Sequence, residues 1–227
     1  MKYNIKIVGL GGIGSSLANI LSRFVNYDND NTYVFHLVDG KEISFRKLER
    51  QEFESDCGNK ADLKKMELER KFPNIRYESC PFYLNDRNIS NIIEEGDIIC
   101  LCVDNHKSRC MVSKFADALD DVVLISAGND LIDGNAQLYV RQNGIKITPS
   151  LTDYHPEILN FTDKLPDELS CEELAYYTPQ IYLANLKAAV LMAEIFRIYK
   201  LDKELISETY FNIDTTNVRS VSRKPKK

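Results

Sequence analysis

The stretch IKIVGLGGIGSSLANILSRF, Ile5 to Phe24, decides the fold. Lys2 to Val8 alternates and then runs apolar, as a strand does. Gly9-Leu10-Gly11-Gly12-Ile13-Gly14 follows in G-x-G-x-x-G spacing, and Leu17, Ile20, Leu21 and Phe24 then recur at helical intervals. In a turn of this kind one glycine makes the bend and one lets the backbone approach a phosphate. Another lets helix and strand pack closely. The helix N-terminus presents free N–H groups and a positive dipole end to an anion. Tyr33 to Val38 forms a second strand ending at Asp39, 25 residues beyond Gly14, where a carboxylate can accept both hydroxyls of a ribose. Gly9, Gly11, Gly12, Gly14 and Asp39 are therefore candidate cofactor-binding residues. NAD, FAD and ATP all fit such a turn.

The same grammar continues outward. Helices are expected on either side of Cys57-Gly58-Asn59, a strand over Ile75 to Cys80, and a helix over Asn88 to Glu95 that Gly96 stops. Asp97 to Val103 is an apolar run bounded by charge, which suits a central parallel strand. A helix over Lys107 to Leu119 and a strand over Val122 to Ser126 follow. Repeated strand and helix predict an α/β, Rossmann-like doubly wound sheet, mostly parallel. After Ala127 a hairpin around Gln142-Asn143-Gly144 gives it a mixed or antiparallel C-terminal extension. The stretch 149–179 reads as a long crossover loop. Gln180 to Tyr199 is the longest helix candidate, with Ile181, Ala184, Ala188, Leu191, Ile195 and Ile198 on one face. One domain over 1–218 and a basic, flexible tail over 219–227 complete the expected organisation.

The composition agrees with a globular domain. Of 227 residues, 44% are hydrophobic and 28% charged, enough to bury a core and unlike a disordered chain. The net charge of −5 gives no electrostatic reason to expect nucleic acid. No run reaches the roughly 18 apolar residues of a membrane span. The first residues read straight into a strand rather than a signal peptide, so no membrane partner and a cytoplasmic location are expected. Six cysteines without a C-x-x-C pair make neither a disulfide framework nor a four-cysteine zinc site, and no zinc is expected.

The residues beyond Asp39 narrow the nucleotide. Asp39, Ile43, Leu48, Arg50 and Gln51 fall without a gap on D-x-D-x-V-x-x-S-N-L-x-R-Q. Gly58-Asn59-Lys60, Phe72-Pro73 and Asp97 to Arg109 (DIICLCVDNHKSR) continue the series, followed by Ala127-Gly128 and Gly134 to Gln137. In this order and spacing the chain resembles the ubiquitin-activating-enzyme-like superfamily, ThiF/MoeB type, over roughly residues 3 to 142. Pro179-Gln180 ahead of Asn185 and Ala188 is a weaker echo.

The resemblance implies an ATP- and Mg²⁺-dependent enzyme that adenylates the C-terminal glycine of a ubiquitin-like or sulfur-carrier protein ending in Gly-Gly, working as a homodimer. By that analogy Gly11 and Gly12 line the nucleotide and Asp39 holds the ribose. Arg50 and Lys60 contact phosphate oxygens, Gln51 helps position them, Asn105 adjoins the nucleotide, and Asp104 holds Mg²⁺. A carboxylate is a suitable hard ligand for that ion, and fixed cations suit the charge that builds on phosphate in transfer. Cys171 is the candidate for a thioester-forming nucleophile, although Glu172 and Glu173 beside it disfavour a thiolate. Cys80, Cys100, Cys102 and Cys110 read as core.

Departures from the pattern leave alternatives open. Lys41 replaces the second aspartate, and Arg46-Lys47 replaces Ser-Asn, so Lys47 either substitutes as a cation near the phosphates or marks a site without turnover. The arginine that an N-terminal helix lends to the partner subunit in many relatives has no counterpart ahead of the first strand. A non-catalytic ThiF-like module that holds nucleotide or protein is the first alternative. An NAD-dependent oxidoreductase, which explains the glycines and Asp39 but not Arg50, Lys60 or Asp104, is the second.

Overall fold

A computed structural model describes residues 1–43, 53, 57–165 and 181–226. The chain runs β1 (Lys2–Val8), α1 (Gly12–Val25), β2 (Thr32–Val38), α2 (Lys60–Lys71), β3 (Arg76–Cys80), α3 (Ile89–Ile92), β4 (Ile98–Leu101) and α4 (His106–Ala116). It continues through β5 (Val122–Asn129), β6 (Asp133–Gln142), β7 (Ile145–Lys146), α5 (Leu151–Tyr154), a 3₁₀ turn (Pro156–Ile158), α6 (Tyr182–Lys200), β8 (Glu208–Asn212) and β9 (Val218–Val221). The strands form one sheet in the order β3-β2-β1-β4-β5-β6-β8-β9, with β7 paired to β6. Pairing is parallel from β3 to β5 and antiparallel from β5 onward. This is the expected doubly wound sheet with an antiparallel C-terminal part.

Strand alternation divides the core in two. On β4, Ile98 and Cys100 face one cluster and Ile99 and Leu101 the other, and all four are buried. The first cluster lies under α1, α2 and α6, the second under α3, α4 and α5. Side chains buried on both faces are what a central parallel strand requires, and they explain the continuous apolar run. On α1, Leu17 and Leu21 are fully buried while Phe24 is 40% exposed. Ala184, Ala188 and Ala189 let α6 approach α1 closely. The four cysteines read as core are buried, and burial pushes the Cys100 thiol up to about 12.

Three segments differ from expectation. Only Ile89–Ile92 of the Asn88 to Glu95 stretch is helical, because the Asp97 carboxylate accepts the Glu94 N–H and Gly96 turns the chain at φ +79. The supposed loop after Pro149 holds α5, whose Ser150 and Asp153 form a reciprocal capping box. The tail is not frayed from residue 219: β9 pairs with β8, and the Arg223 N–H donates to the Ser207 hydroxyl at 2.9 Å. The expected Asn-Gly hairpin is present, with Asn143 at φ 49 and Gly144 at φ 74.

Candidate functional site

The glycine turn sits at the C-terminal edge of the parallel strands. The Gly9 N–H donates to the Val38 carbonyl at 2.9 Å, and the Cys102 N–H to the Val8 carbonyl at 2.8 Å, so the ends of β1, β2 and β4 converge there. Each glycine can be asked what a methyl group would meet. Gly9 has φ +88 and lies against the Cys102 carbonyl. A Cβ on Gly12 would fall 2.2 Å from the Asn185 side-chain nitrogen, and one on Gly14 would fall 1.9 Å from the Gly9 carbonyl oxygen. Gly9 and Gly14 meet backbone and are required by the fold itself, whereas Gly12 makes room for the Asn185 side chain. A Cβ on Gly11 would meet nothing within 4 Å. Packing therefore does not demand a glycine at residue 11, whereas close approach of a ligand to the backbone would. Gly11 is also the N-cap of α1, with no side-chain cap and no acid in the first turn, so a negative group is not already supplied there.

The Asp39 carboxylate fixes this turn. It accepts the Leu10 N–H at 2.7 Å on one oxygen and the Lys41 N–H at 2.8 Å on the other. Each oxygen keeps a second lone pair. The Asn59 side chain donates to the Asp39 carbonyl and caps α2 through the Ala61 N–H, and the Lys60 N–H bonds the Lys41 carbonyl. These bonds bring Lys60 beside Asp39, although Lys60 is only 3% exposed and its ammonium lies 5.9 Å from the Phe53 ring centroid. Lys47, Arg50, Gln51 and Cys171 lie outside the described residues.

Asp104 stands just beyond β4 and lines a cavity of about 680 Å³. Asn105, not Asp104, caps α4 by accepting the Ser108 N–H at 2.7 Å. Asp104 is left exposed, with no hydrogen bond or ion pair among the described residues. A lone exposed carboxylate fits Mg²⁺, which keeps several waters and takes phosphate oxygens alongside one or two protein ligands. Arg109 donates from Nη2 to the Val103 and Ala127 carbonyls, both at 3.0 Å, and a Cβ on Gly128 would fall 2.4 Å from that nitrogen. Burial lowers the Arg109 pKa, and the Asp104 carboxylate opposes the shift. Arg109 thus ties β4, α4 and β5 together, and Gly128 makes room for it. The Asp163 carboxylate accepts the His106 and Lys107 N–H groups at 2.5 and 3.0 Å, anchoring the segment after the 3₁₀ turn beside Asp104. No spacing rule pointed to Asp163.

Sequence reasoning also missed the far wall of the cavity. His155 lies 2.8 Å from Glu157 through Nδ1 and 2.7 Å from Glu208 through Nε2. Glu208 also accepts from Asn135 at 2.7 Å and pairs with Arg223 at 3.2 Å. Burial alone would raise the Glu208 carboxyl, but hydrogen bonds from His155, Tyr210 and Asn135 hold it down to about 2. The bond to Glu208, with that to Glu157, raises His155 above its ordinary 6.5 against the effect of burial. A depressed carboxyl stabilises above its ordinary 4.5 and loses that contribution as pH falls towards about 2. A raised imidazole stabilises below 6.5 and loses its contribution as pH rises through its folded value. Melting temperature is therefore expected to be highest between about pH 4.5 and 6.5 and to fall on both sides. His155→Gln should flatten the alkaline flank in a melting series. An unchanged flank in that variant would assign it to other groups.

No curated protein sequence matches the chain. Among solved structures, E. coli MccB with ATP superposes with a TM-score of 0.76 at 20% identity, covering 99% of this chain and 64% of that one. The microcin C7 biosynthetic enzyme MccB with N-formylated MccA gives 0.71 at 20% identity, covering 98% and 65%. PaaA gives 0.73 at 14% identity, covering 97% and 64%. The chain thus shares their fold and spans under two thirds of their length. No helix among the described residues is long and apolar enough to cross a membrane. The family model of the ThiF family matches residues 1–227, and the chain belongs to that family.

Proposed function

We propose that the chain adenylates the C-terminal carboxylate of a peptide or small protein, using ATP and Mg²⁺. Gly11 is the observation that carries this reading: its open face beside an uncapped helix N-terminus is where a phosphate can approach. Family membership supports ATP as the nucleotide, as does an E. coli MccB structure with the same fold solved with ATP. The lone pairs left on Asp39 serve the ribose, and Lys60 with Arg50 and Gln51 serves the phosphates. Lys47 and Asn105 adjoin them. Asp104 holds the Mg²⁺, which when bound neutralises charge on the phosphate oxygens. An acceptor carboxylate oxygen bonds to the α-phosphorus as the bond to the leaving pyrophosphate breaks, and the fixed cations stabilise the charge that develops. A ubiquitin-like or sulfur-carrier acceptor ending in Gly-Gly, a thioester on Cys171 and a homodimer belong to this proposal on the resemblance alone, and a cytoplasmic location on the sequence reading of the N-terminus and cysteines.

A second reading, nucleotide binding without turnover, is favoured by Lys41 and Lys47 in place of the family's Asp and Asn. Calorimetry with ATP and NAD, beside ATP–pyrophosphate exchange on carboxyl-terminated acceptors, separates the possibilities. ATP binding with acceptor-dependent exchange is expected. ATP binding without exchange for any acceptor would favour the second reading, and binding of NAD in place of ATP would sink the adenylation reading.

A further inference from the structure

The cavity beside Asp104 has a floor built by strand register. Gly128 on β5, Asn135 on β6, Tyr210 on β8 and Arg219 on β9 are successive partners across the sheet, so the four positions form one row, with the three side chains on one face. All four line the cavity with Asp104 and Arg109. The cations along it differ in availability. Arg109 is committed to two carbonyls, and Arg223 to Glu208 and the Tyr210 hydroxyl. Arg219 is exposed and makes no hydrogen bond or ion pair among the described residues. The acids Asp130 and Asp133 stand at the opposite, β5–β6 end. The Asp104 end thus holds acids beside the committed Arg109, and the cation left without a partner among the described residues is Arg219 at β9.

The geometry points to a groove that reads the acceptor's C-terminal segment, with Arg219 selecting an acidic side chain about four residues before the reacting carboxylate. Strands lie about 4.8 Å apart, so Gly128 and Arg219 are about 14 Å apart across three intervals. An extended chain covers about 3.3–3.6 Å per residue, which makes that span about four residues. The direction follows from the chemistry already assigned, and in this respect the inference rests on the adenylation reading. The reacting carboxylate must lie at the Asp104 end, so the upstream residues run towards β9. The amide of Asn135 and the ring of Tyr210 line the path between.

The test is equilibrium capture of a heptapeptide library with free C-terminal carboxylates, degenerate at the six preceding positions, on the full chain. Retained peptides are read by mass spectrometry. Wild type is expected to enrich Asp or Glu about tenfold at one position three to five residues before the end, the worth of a charge-assisted hydrogen bond. Arg219→Gln should lose that enrichment and Arg219→Glu should replace it with Lys or Arg, both variants melting like wild type. Absence of acidic enrichment, or the same enrichment in Arg219→Glu, would overturn the inference. Pyrophosphate exchange on captured peptides keeps the two ideas apart. Acid-selective capture without exchange would count against adenylation and leave Arg219 as the selecting residue. Equal exchange with Glu and Gln peptides would count against Arg219 and leave adenylation standing.

Discussion

Gly14→Ala is expected to break the first βα unit, whereas Gly11→Ala, three residues away, is expected to leave the fold intact and weaken nucleotide binding about 100-fold. An alanine inside a helix ordinarily stabilises it by up to about 1 kcal/mol relative to glycine. At Gly14 the sign reverses, because the new Cβ would fall 1.9 Å from the Gly9 carbonyl oxygen. That oxygen is backbone and cannot swing aside, since the Gly9 N–H is bound to Val38 in β2. The cost sits at or above the upper end of overpacking, about 3 kcal/mol, or about 6–12 °C in melting temperature for a chain of this size. Gly11 has a negative φ, −77, at the edge of the extended region with ψ −153, and open space in front of it. Its melting temperature should stay within about 2 °C of wild type. ATP affinity should fall about 100-fold, because a methyl group would stand where the phosphate approaches. Calorimetry and thermal melts on the two variants read both effects. Full ATP affinity in a folded Gly11→Ala would remove the observation on which the proposed function rests.

The second large effect is expected at Asp104. Asp104→Ala should lower pyrophosphate exchange about 10³-fold, since it removes the carboxylate assigned to the metal at the reacting phosphate. The side chain is exposed and unbonded among the described residues, so stability should change by no more than about 0.5 kcal/mol. Asn105→Ala, by contrast, removes the cap of α4 and should act mainly on stability. An Asp104→Ala variant that retains exchange would show that the metal is held elsewhere.

The parts of this site that were legible in the chain are those whose requirements are local. A tight turn between strand and helix needs glycines at set intervals, so Gly9, Gly11 and Gly14 could be read directly, and the spacing to Asp39 follows from one strand and one helix. Asp104 at the end of an apolar run was legible for the same reason. Even there the structure added roles. Asp39 proved to hold the turn through two backbone N–H groups before any ribose is considered, and Asn105, read as adjoining the nucleotide, also caps α4. The far wall of the cavity depends instead on partners distant in sequence. Glu208 meets His155 across 53 residues and Asn135 across 73, and Arg219 reaches the floor only because β9 adds to β8. No periodicity within one segment records which strand will lie beside it. Antiparallel pairing chose those neighbours, and register alone set Gly128, Asn135, Tyr210 and Arg219 in one row.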